Sequence, residues 1–179
     1  WTVIDVNSDV SANTWAYNDG NAMYTQDKSN AADDWLIAPA VTLEAGKAYK
    51  VSAYVKHSST FGSDKQKIEL KIGTAPTVEG LTTRLVYDES FQSRLFVEKS
   101  GTFSPAESGV FYVGLRCYSE SYNGDLYFQK IVIEEAPVYP AQITDLSIVA
   151  GERGAMSATL SWTWPSSDHL GGALSNLLG

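Results

Sequence analysis

Strict alternation of apolar and polar residues in long segments is the feature that most constrains the fold of this chain. "KAYKVSAYVKHS", from Tyr49, and "KQKIELKIGT" both alternate in this way, so each predicts a strand with one dry face and one wet face. The predicted inward positions are Val51, Ala53, Val55, Ile68, Leu70 and Ile72. Glu69, between two of these positions, is predicted to face outward into solvent. One-sided burial of this kind is typical of an antiparallel sheet.

The remaining strands predicted from the sequence are shorter or less regular. They lie in "NAMYTQ", "DDWLIAP", "TRLVYDE", "SRLFVEKSGTF", "GVFYVGLRCYS" and "DLYFQKIVIEE". Gly, Pro, Asn and Asp occupy the gaps, and Asn123-Gly124 in "YNGD" predicts a hairpin between the last two strands. Many short strands with regular turn signals predict an all-β, antiparallel β-sandwich.

A domain boundary is predicted near "EEAPVYPAQ", because Pro137 and Pro140 cannot donate hydrogen bonds to a central strand ladder. The segment "ITDLSIVAGERGAMSATLSWTWP" that follows predicts two strands joined by a glycine-containing turn. Two strands cannot bury a sandwich core. We therefore expect one domain at 1–136 and, at 137–179, a linker with an incomplete second β-sandwich or strands that dock on the first domain. Because the chain starts at Trp1 without an initiator methionine, we also expect a longer parent protein.

The charge of the chain excludes some partners. With 13 Lys and Arg against 21 Asp and Glu, the net charge is −8, which disfavours nucleic acid and anionic membrane surfaces. No apolar run approaches the roughly 18 residues of a membrane helix, so no membrane insertion is predicted. Cys117, the single cysteine, excludes a disulfide framework and is predicted to be a small buried hydrophobic residue.

Signatures of catalysis are missing from the sequence. No H-E-x-x-H, P-loop or G-x-S-x-G pattern occurs, and His57 at a strand end is expected to be solvated. The adjacent acids Asp33 and Asp34 would point to opposite faces of one strand, so they are not predicted to form a catalytic pair. Asp34 is expected instead to accept hydrogen bonds from turn backbone N–H groups. After it, Trp35 and Ile37 are predicted to share one buried face, with Leu36 on the other.

One oxygen-rich pattern suits calcium. "IDVNSDV" places Asp5, Asn7 and Asp9 at alternate positions, and calcium takes six to eight oxygen ligands. The pattern lacks the glycine and the terminal glutamate of a helix-flanked calcium loop, since Ala16 stands at the twelfth position. Two interpretations are therefore open at this point: a structural calcium site, or a polar loop without metal.

Several aromatic residues lie in or beside predicted loops and could form a ligand platform. They are Trp15, Tyr17, Tyr118 and Tyr122. Sugars stack on exposed aromatic rings, and loops on rigid sandwiches often carry binding sites. Sandwich cores also need large aromatic residues, and this alternative is favoured for Trp15. Trp15, Tyr118 and Tyr122 are taken as candidate ligand-binding residues.

Taken together, these segments resemble a known family. "WTVIDVNSDVSANTW", "DDWLIAPAVTLEAGKAYKVSAYV", "GVFYVGLRCYS" and "LYFQKIVI" are similar to the cleaved-adhesin or choice-of-anchor J domain of gingipains and related surface proteins of Bacteroidetes. The resemblance covers Trp1 to about Glu135. The later segment "PAQITDLSIVAGERGAMSATLSWTWP" is similar to the start of a fibronectin type III-like domain, with Trp162 at the position of a buried tryptophan.

The resemblance implies a galactose-binding-like jelly roll without a catalytic centre, secreted or on the bacterial cell surface. It implies adhesion to a host protein or glycan, or an architectural role beside other domains of a longer chain. A carbohydrate-binding accessory module of a glycoside hydrolase or peptidase is the alternative. Some members of the family hold structural calcium with the acidic loop and an Asp pair in the last strand. Here Asp5, Asn7 and Asp9 match, but Gln129 and Lys130 replace the pair, and a lysine ammonium there would compete with calcium.

Overall fold

The computed structural model describes residues 1–8, 13–58, 63–137, 139–169 and 174. The elements within these ranges are all strands: β1 Thr2–Asp5, β2 Trp15–Asn18, β3 Asn21–Tyr24, β4 Asp34–Ile37, β5 Val41–Leu43, β6 Tyr49–His57, β7 Gln66–Gly73, β8 Thr83–Phe91, β9 Val97–Phe103, β10 Gly109–Cys117, β11 Leu126–Glu135, β12 Ser147–Ala150 and β13 Ala158–Ser161. In the part of the chain that is described, no helix could span a membrane.

Eleven of these strands form two antiparallel sheets. The first sheet has the order β1-β4-β10-β7-β8, with β5 also paired to β10, and the second has the order β2-β3-β11-β6-β9. Neighbours in a sheet are seldom consecutive along the chain, because the chain crosses repeatedly from one sheet to the other. This is the connectivity of a jelly-roll sandwich, and the predicted all-β antiparallel fold is confirmed.

The core lies between the two sheets and is built from the predicted alternating positions. Val51, Ala53, Val55, Ile68, Leu70 and Ile72 are each exposed by 1% or less. Large aromatic and aliphatic residues from the other strands complete this core: Trp15, Tyr24, Leu36, Phe111, Val113, Leu115, Leu126 and Phe128. The period-two pattern therefore predicted the inner face of both central strands.

The two faces of β4 are buried by different parts of the molecule. Leu36 packs in the core between the sheets, whereas Trp35 and Ile37 pack with Leu81 in a second cluster. The predicted split of the faces is confirmed, and the loop at 74–82 covers the outer face. Gly114 makes room for it, since a Cβ there would lie 2.4 Å from Leu81 Cδ1 and 3.0 Å from Trp35 Cε3.

The hairpin predicted at Asn123-Gly124 is wrong. β10 belongs to the first sheet and β11 to the second, so the loop between them crosses the sandwich. A two-residue hairpin forms elsewhere, between β2 and β3, where Asp19 and Gly20 have φ of 43° and 80°. Positive φ at both turn residues is what this type of hairpin requires. Pairing with strands distant in sequence outweighs the local turn signal at Asn123.

The residues after Pro137 form a small sheet of their own. β12 pairs with β13, and every residue of both strands is exposed. Asp145 holds the end of this hairpin by accepting hydrogen bonds from the Thr163 N–H, at 3.1 and 2.9 Å to its two oxygens. Trp162 lies just beyond β13 and is 41% exposed, not buried as the resemblance implied, because a two-stranded sheet has no second layer to cover it. The boundary at 136/137 stays a prediction.

Candidate functional site

The structure places the three predicted ligand-binding aromatics in separate surroundings. Trp15 begins β2, is 3% exposed and donates from Nε1 to the Asp34 carbonyl oxygen at 3.2 Å. Tyr118 follows β10 on the outer side of the first sheet, and Tyr122 lies in the loop that crosses to β11. Trp15 is thus a core residue, as its favoured interpretation predicted, and the three rings do not form one platform.

A concave site does form above Trp15, at the edge of the sandwich. We call it the edge cavity; its volume is about 320 Å³. Its lining residues are Trp1, Val3, Trp15, Ala16, Tyr17, Gly20, Asn21, Ala22, Leu36, Phe128 and Gln129. They come from Trp1 and strands β1 and β4 of the first sheet and from the β2–β3 hairpin and β11 of the second. The cavity therefore opens where the two sheets separate.

Two exposed aromatic side chains flank the edge cavity. Tyr17 lies two residues after Trp15, so both side chains point to the same side of β2, but Tyr17 projects beyond the core and is 83% exposed. Trp1 is 60% exposed and makes an edge contact with Phe128 at 5.3 Å between ring centroids. The buried Trp15 side chain and the tight Asp19-Gly20 turn give Tyr17 a rigid support.

A β-bulge supplies a polar group to the same cavity. The register between β11 and β6 shifts between Phe128 and Lys130, which leaves Gln129 as the extra residue. Bulges re-aim side chains and occur often beside functional sites. Gln129 is exposed at the cavity, and its amide, like that of Asn21, can both donate and accept hydrogen bonds.

Among the described residues, the lining of the edge cavity includes no charged side chain. Aromatic faces with nearby amides suit a neutral ligand that has apolar C–H faces and hydroxyl groups. The sequence pointed to Tyr17 as a loop aromatic but not to Trp1, Asn21 or Gln129. The "NDGN" turn beside Tyr17 was the available signal, since a tight hairpin holds its flanking side chains in place.

Tyr118 belongs to a different structure, an ion network on the outer face of the first sheet. The network consists of Asp33, Glu69, Lys71, Arg84 and Arg116. Arg116 donates two hydrogen bonds to Asp33, from Nε to Oδ1 at 2.7 Å and from Nη2 to Oδ2 at 2.8 Å. These hydrogen bonds to Asp33 raise the pKa of Arg116, and burial opposes them. The charges of Asp33 and Glu69 raise it further, so the net direction is upward.

Glu69 lies at the centre of this network, and its burial shows that the sequence prediction for this residue was wrong. It was predicted to face solvent, yet it is only 1% exposed. Arg84 donates to its carboxylate at 2.6 Å, and Lys71 and Arg116 lie at 3.5 Å. Long cationic side chains from β7 itself and from the neighbouring strands β8 and β10 cover the carboxylate, which a strand pattern alone cannot reveal.

Aromatic rings frame the same network. Tyr87 and Tyr118 stack with centroids 6.0 Å apart, and the Arg116 guanidinium lies 5.0 Å from the Tyr118 ring and 5.7 Å from the Trp35 ring. Burial, followed by the neighbouring Tyr87, raises the pKa of Tyr118 well above its usual range. The cations of this face are already engaged by its own acids and rings, so Tyr118 packs against the network and is poorly placed for a ligand.

The acid doublet that precedes Trp35 is divided as predicted. Asp33 faces outward in its pair with Arg116, whereas Asp34 is fully buried and opposite Cys117 in the strand register. Asp34 Oδ2 accepts from the Asp33 N–H at 3.2 Å, the backbone role expected for it. Both acids have structural partners.

His57 is buried, so the expected solvated histidine is wrong. It is 2% exposed, and its Nε2 contacts the Asn123 carbonyl oxygen. Gln66 donates to the same oxygen at 3.0 Å and to the Gly124 oxygen at 2.6 Å. These contacts anchor the loop that crosses from β10 to β11. Cys117 beside them is fully buried, as predicted, and burial raises the pKa of its thiol to about 12.

Tyr122 lies on this crossing loop and is hydrogen-bonded to Asp27. Tyr122 is 65% exposed, and its N–H donates to the Asp27 carbonyl oxygen at 2.9 Å. The Asp27 carboxylate accepts from the Ser29 N–H at 2.6 Å and the Asn30 N–H at 3.0 Å. Those two backbone bonds, with further help from the Asn13 and Asn30 amides, lower the pKa of Asp27 to about 2.

Asp27 should contribute to the acid sensitivity of the fold. Because its folded-state pKa of about 2 is below the unfolded value, its contribution is present above pH ~4 and is lost as the pH falls towards 2. We expect Asp27→Asn to lower the urea midpoint at pH 6 and to show a smaller drop between pH 4 and 2 than the wild type. Equal drops in both proteins would contradict this assignment.

Comparisons with known proteins bear on the fold. No protein-family model matches the sequence, and no curated protein sequence matches it significantly. The K3 cleaved adhesin domain of Lys-gingipain from Porphyromonas gingivalis W83 matches 75% of this chain and 90% of its own, with 12% identity and a TM-score of 0.55. The K1 domain matches 76% and 91%, with 14% identity and a TM-score of 0.55. The chain has the fold of a cleaved adhesin domain. A CBM4 structure matches 68% and 88%, with 9% identity and a TM-score of 0.50.

In this cleaved-adhesin fold, the residues implied for calcium are partly engaged. Asp5 Oδ1 accepts from the Ser8 N–H at 2.7 Å, and the Asn7 amide donates to the Ala31 oxygen at 2.6 Å. Asp9 lies outside the described residues. No group of three His, Cys, Asp or Glu side chains that could hold a metal occurs within the described ranges. The oxygen ligands within the described residues are therefore too few to make up the six to eight that calcium takes.

Gln129 and Lys130, which stand where the family often has an Asp pair, lie in different surroundings. Gln129 lines the edge cavity, and the Lys130 ammonium lies 4.7 Å from the Tyr54 ring centroid on the outer face of the second sheet. Asp5 is at the far end of β1 from the cavity residue Trp1, on the first sheet. Calcium at Asp5, Asn7 and Asp9 stays a prediction, which melting curves in calcium and in chelator for wild type and Asp5→Ala would test.

Proposed function

We propose that this domain is a non-catalytic binding module of a secreted or surface-exposed bacterial protein, and that it binds a neutral glycan in the edge cavity. The observation that carries the proposal is the pair of exposed rings, Trp1 and Tyr17, at a cavity whose described lining has no charged side chain and has amides at Asn21 and Gln129. Aromatic rings can stack on the C–H face of a sugar while amides hydrogen-bond its hydroxyl groups.

The residues beneath the edge cavity favour ligand binding without a conformational change of the protein. Trp15 and Leu36, which form its floor, are 3% and 5% exposed, so the floor is part of the packed core. A preformed site loses little conformational entropy when a ligand binds. With only two stacking rings and two amides, we expect a dissociation constant of roughly 10 µM to 1 mM.

The surroundings of the acids and histidine support a non-catalytic role. Hydrolysis of a glycoside needs two carboxyl groups that face each other across a cleft. Asp33 is paired with Arg116, Asp34 is buried, and no carboxylate lines the edge cavity among the described residues. His57 lies in the core, away from a substrate.

The comparisons support the same class of function. The matched gingipain domains are named as adhesin domains and the CBM4 structure as a carbohydrate-binding module. Adhesion to a host glycan would be consistent with both names, adhesin domain and carbohydrate-binding module. Such a role also supports an extracellular or cell-surface location, with other domains of a longer chain as neighbours. A protein ligand or a purely architectural role is the alternative outcome.

An array of neutral glycans, followed by isothermal titration calorimetry, tests the proposal. We expect Tyr17→Ala and Gln129→Ala each to weaken binding of the best glycan about tenfold, since each removes one direct contact. Tyr122→Asn is the matched control, because Tyr122 is also an exposed tyrosine but lies on the crossing loop. Absence of any neutral-glycan binding, or a loss caused by Tyr122→Asn and not by Tyr17→Ala, would contradict the proposal.

A further inference from the structure

Lysine and tyrosine side chains alternate on the outer face of the second sheet. We call this surface the lysine–tyrosine face and define it as Tyr54, Lys56, Tyr127 and Lys130, with Phe96 beside it. We propose that it binds an acidic polysaccharide that has one carboxylate per sugar residue. This goes beyond the neutral glycan proposed for the edge cavity, because the surface and the ligand chemistry are both different.

The register of two central strands creates the alternation. Lys56 of β6 pairs with Tyr127 of β11, and Tyr54 pairs with Lys130. The Lys56 ammonium lies 4.6 Å from the Tyr127 ring centroid, and the Lys130 ammonium 4.7 Å from that of Tyr54. Lys56 is also 5.0 Å from the Phe96 ring centroid. Each cation is thus held beside an aromatic ring at a distance typical of a cation–π contact.

The bulge at Gln129 is what directs Lys130 to this face. Phe128 points into the core and is 3% exposed, so regular alternation would turn residue 130 inward as well. The extra residue shifts the register, and Lys130 is paired with outward-facing Tyr54 and exposed. The same bulge presents Gln129 to the edge cavity. One irregularity therefore serves two different surfaces.

Charge complementarity identifies the occupant. Seven described cations are in ion pairs: Lys47, Lys50, Lys67, Lys71, Lys99, Arg84 and Arg116. Lys56 and Lys130 have none among the described residues. The acid beside them in register, Glu98, is held by Lys50 at 2.5 Å and by Ser52 at 2.6 Å. These two lysines thus leave a positive surface on an acidic chain.

A carboxylated polysaccharide matches this surface better than other anions do. The face is an open sheet surface that spans two strands, so it suits an extended polymer with charges spaced along it. Tyrosine rings between the lysines can contact the C–H faces of sugars. Two lysines cannot neutralise the phosphates of nucleic acid, which carry one charge per about 1.7 Å of duplex axis, whereas a polysaccharide with one carboxylate per sugar has fewer charges along its length.

Calorimetry with polygalacturonate, and with dextran as the neutral polymer, tests the proposal. We expect the wild type to bind polygalacturonate and not dextran, and its affinity to fall as the sodium chloride concentration rises. The double variant Lys56→Gln/Lys130→Gln should bind at least about tenfold more weakly, because two charge-assisted contacts are removed. Both side chains are on the surface, and an unchanged melting temperature verifies that the variant is folded.

The matched control is Lys28→Gln. Lys28 also lies near a tyrosine, 6.0 Å from the Tyr122 ring centroid, and has no ion pair among the described residues. It should bind polygalacturonate like the wild type, and so should Tyr17→Ala, which reports only on the edge cavity. Equal binding by the double variant, equal loss in Lys28→Gln, absence of polygalacturonate binding, or tighter binding of single-stranded DNA would each overturn the proposal.

Discussion

Replacing Trp35 with alanine is expected to lower the free energy of unfolding by about 3–5 kcal/mol. Trp35 is 1% exposed and packs with Ile37 and Leu81 on the outer face of the first sheet. Its removal leaves a cavity under the loop at 74–82 and takes the aromatic support from Arg116, whose guanidinium lies 5.7 Å from the ring. Equilibrium urea unfolding followed by circular dichroism measures the change.

The control for this prediction is Tyr17→Ala. It also removes a large aromatic side chain, but one that is 83% exposed, so the free energy of unfolding should change by less than about 0.5 kcal/mol. Leu81→Ala should destabilise in the same direction as Trp35→Ala, because it opens the same cluster from the loop side. A Trp35→Ala protein with near wild-type stability would contradict the view that the loop forms a second core.

Replacing Glu69 with alanine is expected to cost about 2–3 kcal/mol, since breaking a buried ion pair leaves the partner charges without compensation. Arg84, Arg116 and Lys71 all direct their cationic groups at this one carboxylate. The estimate is below that for a fully enclosed pair, because the Arg84 side chain is 55% exposed and solvent can screen it.

Two variants separate charge from packing in this test. Glu69→Gln keeps the size of the side chain and should still destabilise, because an amide cannot neutralise three cations. Glu107→Ala removes an exposed glutamate that has no ion pair among the described residues, and should change stability by less than about 0.5 kcal/mol. If Glu69→Ala and Glu107→Ala unfold at the same urea concentration, the ion network is not a source of stability.

Periodicity was sufficient to predict most of the strands and the inner faces of β6 and β7, but the short strands β1, β2 and β5 were not predicted. β6 and β7 show why: side chains of a strand alternate with a period of two, so the order of residues alone separates the faces. The same rule predicted that Asp33 and Asp34 diverge and that Leu36 faces away from Trp35. It could not show that the loop at 74–82 covers Trp35, because nothing in the local pattern places Leu81 against β4.

The alternation of apolar and polar residues could not predict which polar residues are buried. Glu69 occupies an outward position by period, and becomes buried only when Arg84 and Arg116 are brought over it from adjacent strands. Asp33 and Arg116 are 83 residues apart in the chain and still form a two-bond pair. His57 is buried by the loop that crosses from β10 to β11, where the local Asn-Gly signal had indicated a hairpin.

The sequence by itself determined that the chain forms antiparallel strands with one apolar face, because that follows from backbone geometry and side-chain order. Only the tertiary structure decided which surfaces can bind. The edge cavity needs Trp1, Tyr17 and Gln129 from three separate segments, and the lysine–tyrosine face needs the bulge in β11. Both depend on strand register, and register is set by how the two sheets pack together.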